Sequence, residues 1–354
     1  MTSTPTSRPA AATSPGRGSR AGRAARAARD ARIGRAGRTL RALVATSAVA
    51  ALAACTGVTY AETPVPAPPT APATSAPAAP APATCSNPLQ TYDPLPSIPA
   101  SSDISDETTR RILKRGYLVV GVSADTYLFG SRNPLTGRIE GFDIDLAKAV
   151  AGSLFGNPDK IRLRVITAAD RIPLLQQREV DMVARNMTIT CDRWEQVAFS
   201  AEYYHSGQKV LVARGNPART LADLKGQRVC APRDTSTMAN LKKVNGPVPV
   251  AAATHTGCLA LFQQGKVEAI TGDDIVLAGL AAQDPYAVVT SAPAISSEPY
   301  GLAFNRADTY LVRYVNRLLA DLMSDGRWTA IYDRWLRRVL GPAPSPPKAV
   351  YGRS

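Results

Sequence analysis

Two α/β lobes facing each other across a cleft are what this sequence predicts, and three observations carry the prediction. Short valine-rich segments alternate with amphipathic helical ones, the rhythm of a mainly parallel sheet covered by helices. The rhythm runs twice, once from about residue 105 and again after "LADLKG". Three polar loops, "MTIT", "RDTST" and "GDD", each follow a strand, at the end where ligand clefts form in open α/β sheets.

The elements follow in order. "SDETTRRILKRG" reads as a capped helix, and globular character is expected to start near Ser105. "YLVVGVS" is a short buried strand, "GFDIDLAKAVAGSLFG" an amphipathic helix and "IRLRVIT" an alternating strand. "RIPLLQQREV" is a helix with Pro near its start, and "DMVAR" and "KVLVARG" are strands. The second unit reads strand "QRVCAP", helix "STMANLKKV", strand "VPVAAAT", helix "TGCLALFQQG", strand "VEAIT", helix "DDIVLAGLAAQ" and strand "YAVVT". "YGLAFN" is strand-like. Two amphipathic helices, "ADTYLVRYVNRLLADLMSDG" and "RWTAIYDRWLRRVLG", close the fold. The expected division is lobe 1 over 105–205 plus 299–341 and lobe 2 over 206–298. Crossovers near Tyr204–Gly207 and Ser297–Gly301 would form the hinge. The tail 342–354, "PAPSPPKAVYGRS", is expected to be disordered.

Charge is unevenly spread. The chain has 354 residues and a formal charge of +14, but residues 1–54 hold ten arginines against the single acid Asp30. The rest is only mildly basic, so no nucleic-acid partner is expected. The arginine-rich stretch leads into "LVATSAVAALAAC", an apolar run too short to span a bilayer, ending in small residues. These are the marks of an export signal over 1–54. Leu52-Ala53-Ala54-Cys55 resembles the bacterial lipobox, whose cysteine is acylated, so Cys55 is the expected lipid anchor on the extracytoplasmic face of the cell membrane. The segment 55–104 opens with a Pro/Ala/Thr linker of polyproline type, reaching up to roughly 90 Å at about 3.1 Å per residue. Four further cysteines, Cys85, Cys191, Cys230 and Cys258, suggest two disulfides in an exported chain, with three connectivities open. None has the CxxC spacing of a metal site, and neither metal nor cofactor is expected.

"NMTITCDRW" sets hydroxyls, loop amides and a guanidinium close together, the components of an anion site. Taken with the elements above, the chain resembles the extracellular solute-binding proteins of polar amino-acid ABC importers, family 3, over about 105–340. The resemblance lies in "LVVGVS", "GFDIDLAKAVA", "RIPLLQQREVDMVARNMTIT", "AFS", "LADLKGQRV", "GDD" and "DGRWTAIYDRWL" in that order. Within the family, "ITAADRIPLLQ" and "TST" with a later histidine are similar to glutamate/aspartate binders, and an actinobacterial-type branch is closer still. The resemblance implies a two-lobe, type II periplasmic-binding-protein-like fold. It also implies a site. Thr188, Arg193 and the backbone at Asn186 would take the ligand α-carboxylate, and Asp273 the α-ammonium. Arg171 would take a side-chain carboxylate. Thr235, Ser236 and Thr237 would offer a helix N-terminus, and His255 would line the pocket.

The residues alone agree: a zwitterion needs donors at one end and a carboxylate at the other, and buried charges must be paired. The simpler readings are a helix-start arginine at 171, a surface histidine at 255, and helix caps at Thr235 and at Asp273 or Asp274. Some positions depart from the family pattern. Ser123-Ala124-Asp125 lacks the arginine that many glutamate binders carry there, leaving Arg233 as a candidate replacement. Asn186 stands where many relatives have Gly or Ser. An aromatic cover is expected from Tyr127 or Phe129. By position, Cys230 should pair with Cys258, which leaves Cys85 for Cys191. The expected function is capture of an acidic or amide amino acid for an ABC permease. The alternative is a sensing lipoprotein that contacts a transmembrane receptor. No enzyme chemistry is called for, since no general acid–base pair stands beyond the binding carboxylates.

Overall fold

The computed structural model describes residues 85–354. The expected signal segment, Cys55 and the Pro/Ala-rich stretch lie outside the described residues.

In the first sheet, strands β2 (Leu118–Val122), β6 (Ile161–Val165) and β7 (Met182–Ala184) run parallel. Strand β15 (Ala303–Asn305) returns antiparallel between β7 and β8 (Val197–Phe199). The order is β6-β2-β7-β15-β8. Helix α1 (Glu107–Arg115) leads into β2; the Asp106 carboxylate accepts from the Thr109 amide at its start, and Gly116 at φ 84° ends it. That φ is the left-handed region, where a side chain is strained. Helix α2 (Phe142–Phe155) covers the sheet, and the Phe142 ring packs edge-on against Trp328 and Tyr332 of α9 (Arg327–Trp335). Helix α8 (Thr309–Ser324) buries Leu311, Val315 and Leu318 on the same core.

Between β2 and α2 lies a small antiparallel sheet absent from the expected elements: β3 (Asp125–Thr126), β4 (Gly130–Arg132) and β5 (Ile139–Glu140). Helix α3 (Arg171–Gln176) and the one-turn helix α4 (Cys191–Trp194) complete this lobe.

In the second sheet, strands β10 (Arg228–Pro232), β11 (Val248–Ala252) and β12 (Ala269–Asp273) are parallel, while β9 (Tyr204–Ala213) is antiparallel to β12 and to β13 (Ala287–Val289). The order is β11-β10-β12-β9-β13. Successive residues of a strand face opposite sides. Val210, Val212, Val229 and Ala231 therefore join one core with α5 (Ser236–Lys243), and Leu211, Cys230 and Ile270 join another with α6 (His255–Gln263) and α7 (Asp274–Ala281).

Strand β9 ties the lobes together. Its first four residues pair with β14 (Ser297–Tyr300) in the register Gly207↔Ser297 to Tyr204↔Tyr300, and the remainder belongs to the second sheet. The two crossings are thus one antiparallel ribbon, and a Cβ at Gly207 would meet the Ala294 Cβ at 2.5 Å.

Two expectations are corrected. Among the described residues, folded structure is present well before Ser105: β1 (Gln90–Tyr92) packs on the domain, and Thr91 is fully buried with its hydroxyl donated to the Phe199 carbonyl. The C-terminal tail is not disordered. It passes its prolines and ends in β16 (Val350–Arg353), which pairs in parallel with β1. The disulfides are Cys85–Cys191 and Cys230–Cys258.

Candidate functional site

The carboxyl ends of several strands converge on one cavity. It is lined by Arg171 beyond β6; Arg185, Asn186, Thr188 and Arg193 beyond β7; Thr235, Ser236 and Thr237 beyond β10; His255 beyond β11; and Asp273 ending β12. The residues that the resemblance assigns to the ligand are all brought together there. The space between them is narrow, about 20 Å³.

Arg171, Arg185 and Arg193 are 3%, 6% and 9% exposed. Among the described residues, none has a carboxylate within salt-bridge distance. Each is held instead by backbone carbonyls. Arg171 Nε donates to Ala168 O at 2.9 Å, and its Nη2 reaches across the cleft to Asp234 O at 3.3 Å. Arg185 Nε donates to Ile166 O at 2.9 Å, and Arg193 Nη1 to Thr188 O at 2.6 Å. Burial lowers the pKa of all three; for Arg171 the Arg193 and Arg185 charges add to it, and the fall is large. Three buried guanidiniums with no carboxylate in direct contact among the described residues make the cavity a candidate anion site.

Asp273 supplies the opposite charge. Its backbone occupies the N-cap position of α7, but its side chain does not cap; Asp274 accepts from the Ile275 amide and from Ser206. The Asp273 carboxyl is therefore free to face the cavity, with Tyr300 Oη donating to Oδ2. Burial, then the Glu298 charge, raises its pKa to about 7. Among the described residues, four buried side-chain polar atoms lack a partner, and three belong to this site: Asp273 Oδ1, Asn186 Oδ1 and His255 Nε2. Buried polar atoms are rarely left unpaired, so this concentration makes the cavity a candidate ligand site.

The backbone at Asn186 does not take the role expected of it. Its N–H donates to Asp143 Oδ2 at 2.8 Å, which leaves the side-chain amide to face the cavity. Asn186 has φ 34°, a region Gly and Asn tolerate best. Asp143, also bound by Tyr203 Oη at 2.7 Å, has its pKa raised by burial to about 7.

His255 is not a surface residue at its reactive end. Its Nε2 lies 2.4 Å from where a Cβ at Gly272 would be, so the glycine makes its place. Burial and then Arg185 lower its pKa to about 4, leaving it neutral at pH 7. Thr235 caps α5, accepting from the Met238 amide at 3.1 Å. Ser236 Oγ lies 3.1 Å from Thr188 Oγ1 across the cleft, and both hydroxyls donate to Glu298 Oε2.

Several expectations fail. Arg233 is exposed and outside the cavity; the additional cation is Arg185, one residue past β7. Phe129 is fully buried against Phe142, Tyr204 and Tyr300, Tyr127 lies against Gly279 of α7, and neither lines the cavity. Sequence reasoning missed Arg185 and Glu298. "VARN" carried a signal, an arginine directly after an apolar strand at a cleft end, whereas Glu298 gave none.

Fold and cavity define a class: two α/β lobes, joined by an antiparallel ribbon, that face each other across a small cavity lined by charged and hydroxyl side chains. A family model described as bacterial extracellular solute-binding proteins, family 3, matches residues 118–338, and the chain belongs to that family. It is 33% identical over 240 residues to the ABC transporter glutamine-binding protein GlnH of Bacillus subtilis, covering 67% of this chain and 88% of that one. It is 27% identical over 257 residues to the L-glutamate/L-aspartate-binding protein of Pseudomonas aeruginosa, covering 70% and 85%. Among solved structures, a solute receptor for L-cysteine of Neisseria gonorrhoeae matches with a TM-score of 0.63 and 27% identity, over 66% of this chain and 95% of that one. The fold is the two-lobe type II periplasmic-binding-protein fold.

Proposed function

We propose that the chain captures an acidic amino acid, glutamate or aspartate, in this cleft and delivers it to an ABC importer, held at the extracytoplasmic face of the cell membrane by a lipid on Cys55. The observation that carries the ligand class is Arg171. It is buried, no carboxylate pairs with it among the described residues, and the charges that act on it most strongly are two other guanidiniums. A ligand with a second carboxylate supplies the missing counter-charge. The α-carboxylate then falls to Arg193, with the Thr188 and Ser236 hydroxyls turning to it from Glu298, and the α-ammonium to Asp273. A neutral amide such as glutamine or asparagine satisfies the α-groups and leaves Arg171 unpaired, a costly arrangement in a closed site. The relatives named for glutamine and for glutamate/aspartate both support an amino-acid ligand; the charge count favours the acids. Calorimetry of the purified protein against the twenty amino acids tests this. Glutamate or aspartate should bind more tightly than either amide, and tighter binding of glutamine would overturn the acidic assignment.

A further inference from the structure

The family match ends at residues 118 and 338, yet folded chain extends beyond both. The two extensions meet on the back of the one-turn helix that bears Arg193. Cys191, its first residue, is bonded to Cys85. Trp194, its last, donates from Nε1 to Pro88 O at 2.8 Å. From the other end of the chain, the Arg353 guanidinium lies over the Trp194 ring at 3.9 Å from the centroid, a cation–π contact on a residue only 6% exposed. Arg353 also donates from Nε to Gln90 O at 2.7 Å, and β16 pairs with β1, so the extensions hold each other as well as the helix. Asn316 anchors the belt to the core, donating to Tyr92 O at 2.7 Å and accepting from the Ala201 amide at 2.7 Å.

A four-residue helix has no stability of its own. On the cavity side, the Arg193 guanidinium donates to Thr188 O, and the Arg193 amide is capped by Thr190. Beyond these, Trp194 packs edge-on against the Phe199 ring of the core at 5.4 Å, and Cys191 and Trp194 are both fastened from outside by the two extensions.

We infer that the segments Cys85–Tyr92 and Val350–Arg353 are a positioning strap for Arg193, with Cys85, Cys191, Trp194 and Arg353 as its positioning residues. Ligand affinity then depends on the Cys85–Cys191 bond and on the last strand of the fold. This rests on the reading that Arg193 holds the ligand α-carboxylate, and the experiment separates the two.

The test uses the full chain and two probes, L-glutamate and L-isoglutamine, which keeps the side-chain carboxylate but carries an α-carboxamide. Each is titrated calorimetrically into wild type, Arg353→Ala and the double variant Cys85→Ser/Cys191→Ser. The double variant Cys230→Ser/Cys258→Ser, which loosens the other lobe, serves as control. Wild type should prefer glutamate strongly. Arg353→Ala and the first double variant should lose roughly tenfold in that preference, because only the α-carboxylate meets Arg193. The control should keep it. A strap that merely stabilises the fold would weaken both probes equally or neither, leaving the preference unchanged, and that result overturns the inference. Arg353→Ala retains the disulfide, so a folding failure of the cysteine variant does not end the test. Should wild type itself fail to prefer glutamate, the assignment of Arg193 to the α-carboxylate falls, and the strap's proposed purpose with it.

Discussion

Binding should expel the proton that Asp273 holds. Its carboxyl, buried at 4% exposure beside Glu298 and Asp274, has a pKa of about 7 in the unliganded protein. An α-ammonium pairs only with the ionised form. Below pH 7 the proton must leave before the ligand is held, and each pH unit then costs up to about tenfold in affinity. About nine-tenths of Asp273 is ionised at pH 8 and about one hundredth at pH 5, so Kd should rise on the order of a hundredfold between them. His255, at about 4, stays neutral over that range. Asp143 shares the elevated value but faces Tyr203 and the Asn186 amide, so it adds little linkage. The assay is calorimetry in buffers of different ionisation enthalpy. At pH 6 close to one proton should be released per ligand, and at pH 8 almost none. Asp273→Asn should bind weakly at every pH with no proton release. The linkage also runs through folding: the native state holds this proton between 3.8 and about 7 while the unfolded chain does not, so stability falls as pH rises through that window. Asp273→Asn should therefore raise the melting temperature of the unliganded protein at pH 8. A Kd that is flat from pH 8 to 5, with no proton released, would refute the placement of the ammonium on Asp273.

Arg171→Ala should cost glutamate or aspartate on the order of 3–5 kcal/mol and the amides far less, because only the acids bring a second carboxylate; an unchanged acid-to-amide ratio of Kd values would make Arg171 structural. Gly272→Ala places a Cβ 2.4 Å from His255 Nε2, so the imidazole must swing out. If the unpartnered His255 Nε2 bonds the ligand, its displacement should cost about 1 kcal/mol of binding, roughly fivefold in Kd, measured on a variant that is still folded; unaltered affinity would remove His255 from the site. Cys55→Ala should move the protein from the membrane fraction to the medium, and unchanged retention with normal processing would refute the lipid anchor.

What the sequence by itself determined was set by local rules. Alternating apolar segments state which residues face a core, and a polar loop after a buried strand lies at a cleft end whatever else the chain does. That is why "MTIT", "RDTST" and "GDD" can be placed from sequence alone, whereas it is the resemblance to the family that singles out Thr188, Arg193, Thr235 and Asp273 within or beside them. The tertiary structure decided everything that depends on distant neighbours. Arg185 and Arg233 both lie directly after a strand, and only packing makes the first a buried cavity residue and leaves the second in solvent. The Asn186 amide is open to a ligand in any local view, and it is Asp143, from a helix 43 residues earlier, that takes it. Strands of two or three residues such as β3 and β4 are too short to show a period. The proline-rich C-terminus defeats local reasoning in the same way. Val350–Arg353 becomes a strand only because Gln90–Tyr92, more than 250 residues away in sequence, offers an edge to pair with, and no local preference can encode the position of that partner.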